Sequence, residues 1–346
     1  MKAAIFVEPG KMDIKEMPKP KVEKPGQAVI RILRACVCGS DLWWYRGISK
    51  RESGSLVGHE AIGIVEEVGS DVTVVHPGDF VIAPFTHGCG YCAACRAGFD
   101  GSCLNQPAGG NGGYQGEYLL FEQANWALIK IPGKPEDYSD EQLNNFLTLA
   151  DVMATGYHAA DSAEVKPGDT TVVIGDGAVG LCGVIGARLR GASRIILMSH
   201  HEDRAELGRE FGATDIISER GEEAVAKVME LTNGAGADSV LECVGATSSI
   251  EQAGKVARPG AVIGRVGVPQ TEPSSNTLFW KNIGLRGGIA SVTTYDKNLL
   301  LDEVLKGNIN PGKVFTKRFD LDHIQDAYEA MSNREVIKSL IIVADK

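Results

Sequence analysis

The sequence predicts an α/β protein in two parts, a β-rich first half and a doubly wound parallel sheet. Nine of the 14 prolines precede residue 150, among short β-branched runs such as QAVIRILRA, AIGIVEEVG and DFVIAPF that Pro-Gly or Gly turns separate. From Thr170 the apolar segments TVVIG, RIILM, TDII, SVLECV, AVIGRVG and IGLRGGI alternate with helix-like stretches, which is the pattern of parallel strands joined by helical crossovers. At 346 residues the chain exceeds one comfortable core and suits two domains.

Taken in order, the β-rich runs occupy residues 1–150. Ser139 and Gln142 then form a capping box that opens a helix, and the change of domain is expected just beyond it. Residues 151–295 hold the six alternating strands. After Ser291 the pattern returns as a helix, YDKNLLLDEVLKGN, a strand, KVFTKRF, a helix, HIQDAYEAMS, and a strand, KSLIIV. Residues 296–346 are expected to complete the first domain.

Composition narrows the function classes. A net charge of −10 without a basic cluster repels a phosphate backbone, so nucleic acid is excluded as a partner. The first apolar run, Ala3 to Val7, is too short for a signal-peptide core. The most apolar window contains Asp176 and several glycines, which argues for buried α/β structure and against a membrane span. A cytoplasmic location is therefore expected, with the eight cysteines kept as thiols or metal ligands.

Four of those cysteines lie close together. Cys89, Cys92, Cys95 and Cys103 follow the spacing C-x2-C-x2-C-x7-C, with glycines between them that permit tight turns. This suits one tetrahedral zinc, although a redox CxxC pair and an iron-sulfur cluster use comparable spacings. An all-cysteine set leaves no open position, so the site is expected to shape a loop.

Upstream, CVCGSD and GHEAIG supply Cys38 with Asp41, and His59 with Glu60, at the ends of apparent strands. Thiolate and imidazole are zinc-type donors. Alone, such a pair is more often a buried thiol and a core histidine. If His59 holds an ion, as the resemblance given below implies, Asp41 is expected to accept its second imidazole N–H.

In VVIGDGAVG, Gly175, Gly177 and Gly180 form GxGxxG directly after a strand, with Ala178 and Val179 opening a helix. Gly177 lets a pyrophosphate approach the helix N-terminus, and Gly180 permits close helix-to-strand packing. An NAD site normally carries an acidic residue at the end of the next strand, yet RIILMSHHEDR has Ser199 there. His200, His201 and Arg204 follow as donors to a 2'-phosphate, so NADP(H) is expected to be preferred. The alternative is NAD(H), with Glu202 or Asp203 folded back onto the ribose.

The stretches CGSD, GHEAIGIVEEVG, PGDFV, the four-cysteine loop, LADVMATGYHA and VVIGDGAVG resemble, in order and separation, the zinc-containing medium-chain alcohol dehydrogenases, over essentially the whole chain. The resemblance implies a GroES-like catalytic domain and a Rossmann dinucleotide-binding domain. It implies a catalytic zinc held by Cys38, His59 and Asp151, with Glu60 as an alternate ligand and one vertex left for a substrate oxygen.

Aspartate as the third ligand resembles the bacterial secondary-alcohol dehydrogenases. Ser40 matches the family's first proton carrier, while Trp43 stands where the relay often continues through histidine. Thr155 matches a threonine packed on the nicotinamide, Val266, Gly267 and Val268 the segment beside that ring, and Lys338 a basic residue near the pyrophosphate. Trp43, Trp44, Phe85 and Leu285 are candidate walls of an apolar substrate pocket.

The implied activity is hydride transfer between NAD(P)(H) and a small alcohol, aldehyde or ketone, by a homo-oligomer, either tetramer or dimer. A polyol dehydrogenase is the nearest alternative. A non-catalytic NADP(H)-sensing zinc scaffold is the alternative from another class.

Overall fold

The computed structural model describes residues 1–105 and 112–345. The chain divides into two compact units, Met1–Asp151 with Ser291–Lys346, and Val152–Ala290. The boundaries differ slightly from 150 and 296, for local reasons. The Asp151 side chain lies with Cys38 and His59. Thr293 caps the helix Thr294–Leu305 through a capping box with Asp296, so the whole helix start belongs with the returning segment.

In the first unit, a sheet runs in the order Phe315–Asp320, Lys338–Ile342, Ala28–Cys36, Ala61–Val68, Phe80–Ala83, Ile129–Lys130, with Tyr118–Phe121 also on Ala28–Cys36. The C-terminal strand joins it because Leu340 pairs with Cys36 and Ile341 with Ala35, antiparallel. Ala28–Cys36 is buried along almost its whole length, as expected of a central strand with partners on both edges. Its side chains Ile30, Ile32 and Ala35 share a core with Phe6, Trp44, Phe121 and Tyr328.

The second unit is the doubly wound sheet. Its order is Asp215–Ile217, Arg194–Met198, Thr170–Ile174, Ala237–Glu242, Ala257–Arg265, Gly284–Gly287, every pairing parallel. Numbered along the chain, this is 3-2-1-4-5-6, with the reversal of direction beside Thr170–Ile174. The strands read as continuous apolar runs because helices cover both faces. Val172, Ile196, Val240 and Ile263 form the centre of that core.

All six alternating segments and the capping-box helix, Asp140–Thr148, form as the patterns predict. Ser139 Oγ accepts from the Gln142 amide at 3.2 Å, and the Gln142 side chain accepts from the Ser139 amide at 3.0 Å. Among the described residues, no helix is long and apolar enough to cross a membrane.

Candidate active site and metal centres

Strand ends and turns in the first unit bring four donors together. Cys38 follows the strand Ala28–Cys36, His59 and Glu60 precede Ala61–Val68, and Asp151 follows the helix Asp140–Thr148. Cys38 Sγ, a His59 ring nitrogen and carboxylate oxygens of Glu60 and Asp151 all lie within 4.8 Å of one another. Asp151 Oδ2 is 3.5 Å from Cys38 Sγ and 3.3 Å from His59 Nε2. Donors bonded at about 2.0–2.3 Å to one tetrahedral zinc stand roughly 3.3–3.8 Å apart, so this spacing fits the ion.

The surroundings orient the donors. Asp41 Oδ1 is 3.6 Å from His59 Nδ1, the nitrogen turned away from the cluster, while Asp41 Oδ2 accepts from the Cys38 amide at 3.0 Å. One carboxylate thus bonds the Cys38 backbone and faces the outer nitrogen of His59. Burial alone would push the His59 imidazole down, but Asp41, Cys38 and Asp151 outweigh it and hold the ring well above its ordinary value. Burial and the Asp151 carboxylate push the Cys38 thiol up. Negative charge is concentrated here, as a cation site requires.

Glu60 is fixed by Lys338, whose Nζ donates to Glu60 Oε1 at 2.7 Å and to the Val37 carbonyl at 3.0 Å. Both side chains are buried, and Glu60 Oε2 has no hydrogen-bond partner among the described residues. The expectation that Lys338 faces a pyrophosphate is therefore corrected. Its ammonium has no exposure and is committed to Glu60 and Val37 within the unit that holds the zinc donors.

Ser40 is exposed, and its hydroxyl makes no capping bond to the following helix, Asp41–Tyr45. Phe85 meets His59 edge-on at 6.0 Å between ring centroids. Trp43 is half-buried. Trp44 is not a pocket wall: it packs against Phe6 and Tyr328 at 5.2 and 5.5 Å, inside the core. Leu285 likewise packs on the core of the second unit, since its strand is the sixth of the parallel sheet.

A group missed in the sequence is Lys297, fully buried on Thr294–Leu305, whose Nζ donates to Thr86 Oγ1 at 2.7 Å. Burial lowers its pKa to about 8 despite the Asp100, Asp296 and Asp151 carboxylates. Nothing local marks it, because its partner Thr86 is 211 residues away in the chain.

Cys89, Cys92, Cys95 and Cys103 also converge within 4.8 Å. Backbone amides point at the sulfurs: Cys92 N to Cys89 Sγ and Cys89 N to Cys103 Sγ at 3.4 Å each, and Cys95 N to Cys92 Sγ at 3.5 Å. Asn105 adds its side-chain amide to Cys89 Sγ at 3.2 Å. Backbone amides of Cys95 and Leu104 bring the Cys92 thiol down to about 6, while burial pushes the neighbouring Cys95 thiol up to about 12. Gly90 holds a left-handed turn, φ +79°, and a side chain there would meet the Trp126 ring at 2.5 Å. All eight cysteines are unbridged thiols.

In the second unit, the glycine motif does what close packing demands. A Cβ on Gly180 would stand 1.9 Å from the Gly175 carbonyl oxygen, whereas one on Gly177 would meet nothing within 4 Å. Gly177 is the N-cap of the helix Ala178–Leu189, and the open space beside it leaves the helix N-terminus accessible. Val266 and Gly267 follow the strand Ala257–Arg265 with their amides on the Glu242 carbonyl at 2.9 and 3.2 Å, and Val268 is exposed. Thr155 is buried on the helix Val152–Ser162.

Ser199 is buried at the end of Arg194–Met198 and donates to Asp176 Oδ2 at 2.9 Å. Arg204 Nη1 is 3.4 Å from Asp176 Oδ1. His200 and His201 are exposed, and Glu202 pairs with Arg209 at 3.0 Å. The carboxylate beside Ser199 is thus Asp176, missed in the sequence although an acid inside a glycine motif was its signal.

Residues 24–133 match the alcohol dehydrogenase GroES-like domain, and residues 178–303 match the zinc-binding dehydrogenase domain. A zinc-type alcohol dehydrogenase B of Aspergillus flavus is 34% identical over 98% of this chain and 80% of its own. An NADP-dependent isopropanol dehydrogenase of Clostridium beijerinckii is 32% identical over 91% of this chain and 93% of its own. The solved zinc-dependent alcohol dehydrogenase 2 from Streptococcus pneumonia superposes with a TM-score of 0.90 at 31% identity, over the whole of both chains. This chain belongs to the zinc-containing medium-chain alcohol dehydrogenase family and is an NAD(P)-linked oxidoreductase acting on alcohols.

Proposed function

We propose that the enzyme interconverts secondary alcohols and ketones with NADP(H) preferred, using a catalytic zinc at Cys38, His59 and Asp151, with Glu60 as alternate donor, and a structural zinc in the four-cysteine loop. The observation that carries this reading is the convergence of one sulfur, one imidazole and two carboxylates within 4.8 Å. When bound there, zinc supplies Lewis-acid polarisation of a substrate oxygen.

The chain's own residues do the rest. Cys38, His59 and Asp151 would hold the ion, Asp41 lies 3.6 Å from the outer imidazole nitrogen, and Lys338 holds Glu60. The Ser40 hydroxyl, exposed and without a capping bond, accepts the alcohol proton and passes it outward. Trp43 cannot carry a proton further, so the proton goes from Ser40 to water. Phe85 beside His59 gives an apolar wall that shields the reacting carbon.

The secondary-alcohol reading is supported by the aspartate donor and by the named activity of the Clostridium relative. The NADP(H) reading is supported by Ser199 in place of an acid at the strand end and by the cationic and imidazole side chains of His200, His201 and Arg204 that follow it in sequence; the Asp176 carboxylate against Ser199 and Arg204 opposes it. The family resemblance supports a cytoplasmic homo-oligomer, tetramer or dimer. The test is a panel of short primary and secondary alcohols, ketones and polyols assayed with both nucleotides. Propan-2-ol with NADP⁺ is expected to give the highest kcat/KM; a polyol or a primary alcohol ahead of it overturns the substrate reading.

A further inference from the structure

We propose that Asp176 sets the nucleotide preference, as a carboxylate built into the glycine loop that competes with a 2'-phosphate for Ser199 and Arg204. This rests on the reading of Ser199 and Arg204 as the 2'-phosphate donors.

The parallel register brings the groups together. Ile174 is the ladder partner of Met198, so the glycine loop and the segment after Arg194–Met198 leave the sheet side by side. Asp176 stands two residues past Ile174, and Ser199 one past Met198. Each carboxylate oxygen has a donor: Oδ2 takes the Ser199 hydroxyl at 2.9 Å, and Oδ1 faces Arg204 Nη1 at 3.4 Å. The Asp176 and Arg204 side chains are only 16% and 13% exposed, so water screens the pair weakly. Among the described residues, Asp176 is the acid that contacts both of these donors.

An NAD site usually places its acid at the end of the second strand, where it accepts the ribose 2'-hydroxyl. Here that position is serine, and the acid has moved to the glycine loop one strand away. A ribose hydroxyl can donate to Asp176 directly. A 2'-phosphate must draw Ser199 and Arg204 off the carboxylate and sit beside a fixed negative charge, which costs affinity. Asp176 therefore restrains the preference that the other donors create.

The experiment is calorimetric titration of the intact protein with 2',5'-ADP and with ADP, in the wild type and in Asp176→Asn, Asp176→Ser and Arg204→Gln. Asp176→Asn is expected to tighten 2',5'-ADP about tenfold without tightening ADP, a ligand-selective gain that a merely structural role does not produce. Arg204→Gln is expected to weaken 2',5'-ADP alone. If both Asp176 variants weaken the two ligands alike, or change neither, the proposal is overturned; Asp176→Ser guards against a local fault of the amide. A wild type that prefers ADP, with the order reversed in Asp176→Asn, keeps this proposal and removes the NADP(H) reading.

Discussion

The Lys338 ammonium lies 2.7 Å from Glu60 Oε1, and neither side chain has more than 1% of its surface exposed. An ion pair this deep is costly to half-remove, because the remaining charge stays buried without its partner. Burial pushes the Glu60 carboxyl up while Lys338 pulls it down. Lys338→Met is therefore expected to cost about 3–5 kcal/mol of stability. It should also weaken metal retention, since Glu60 adjoins His59. Urea unfolding and metal analysis of the purified variant check both; a loss below about 1 kcal/mol contradicts the assignment.

The two glycines of the nucleotide loop should respond oppositely. Gly180→Ala drives a methyl to 1.9 Å from the Gly175 carbonyl, so it is expected to lower the melting temperature of the Rossmann unit by several degrees. Gly177→Ala meets nothing, so the fold should survive while nucleotide affinity falls at least about tenfold. Calorimetry of both variants, with and without nucleotide, separates the effects.

Cys103→Ser removes one sulfur from the four-cysteine cluster but leaves the other cluster whole. The expected result is loss of one of two bound zinc ions and a lower melting temperature, with the remaining folded enzyme still active. Full retention of both ions contradicts the structural-zinc reading.

The buried Lys297 makes a pH prediction. Its folded pKa is lowered to about 8, below the ordinary value of 10.5, so above pH 8 the unfolded chain binds more protons at this position than the folded one. Wild-type stability relative to Lys297→Met should therefore rise between about pH 8 and pH 10.5, by up to about 3 kcal/mol, and be flat below pH 7. Denaturation midpoints of the two proteins across that range provide the check. A difference that falls over the same interval reverses the sign.

Much of this architecture was legible because the relevant patterns are local. GxGxxG after a strand needs only neighbouring residues to specify a turn and a close helix, and Gly180 shows the contact that demands it. The cysteine spacing is equally local. What stayed hidden depends on partners far apart in the chain. The resemblance implies Lys338 near a pyrophosphate, and only the pairing of Leu340 with Cys36 brings it to Glu60. Trp44 reads as a pocket aromatic until Phe6 and Tyr328 enclose it. Asp176 shows its role only when the strand register sets it beside Ser199.

The most direct measurement of the central reading is NADPH oxidation with propan-2-one before chelation, after complete metal removal, and after zinc is restored. Activity should vanish with the metal and return with zinc in the wild type, and should stay absent in Asp151→Ala despite intact nucleotide binding. Hydride transfer that persists in metal-free enzyme, or in Asp151→Ala at the wild-type rate, contradicts a catalytic ion held by Cys38, His59 and Asp151.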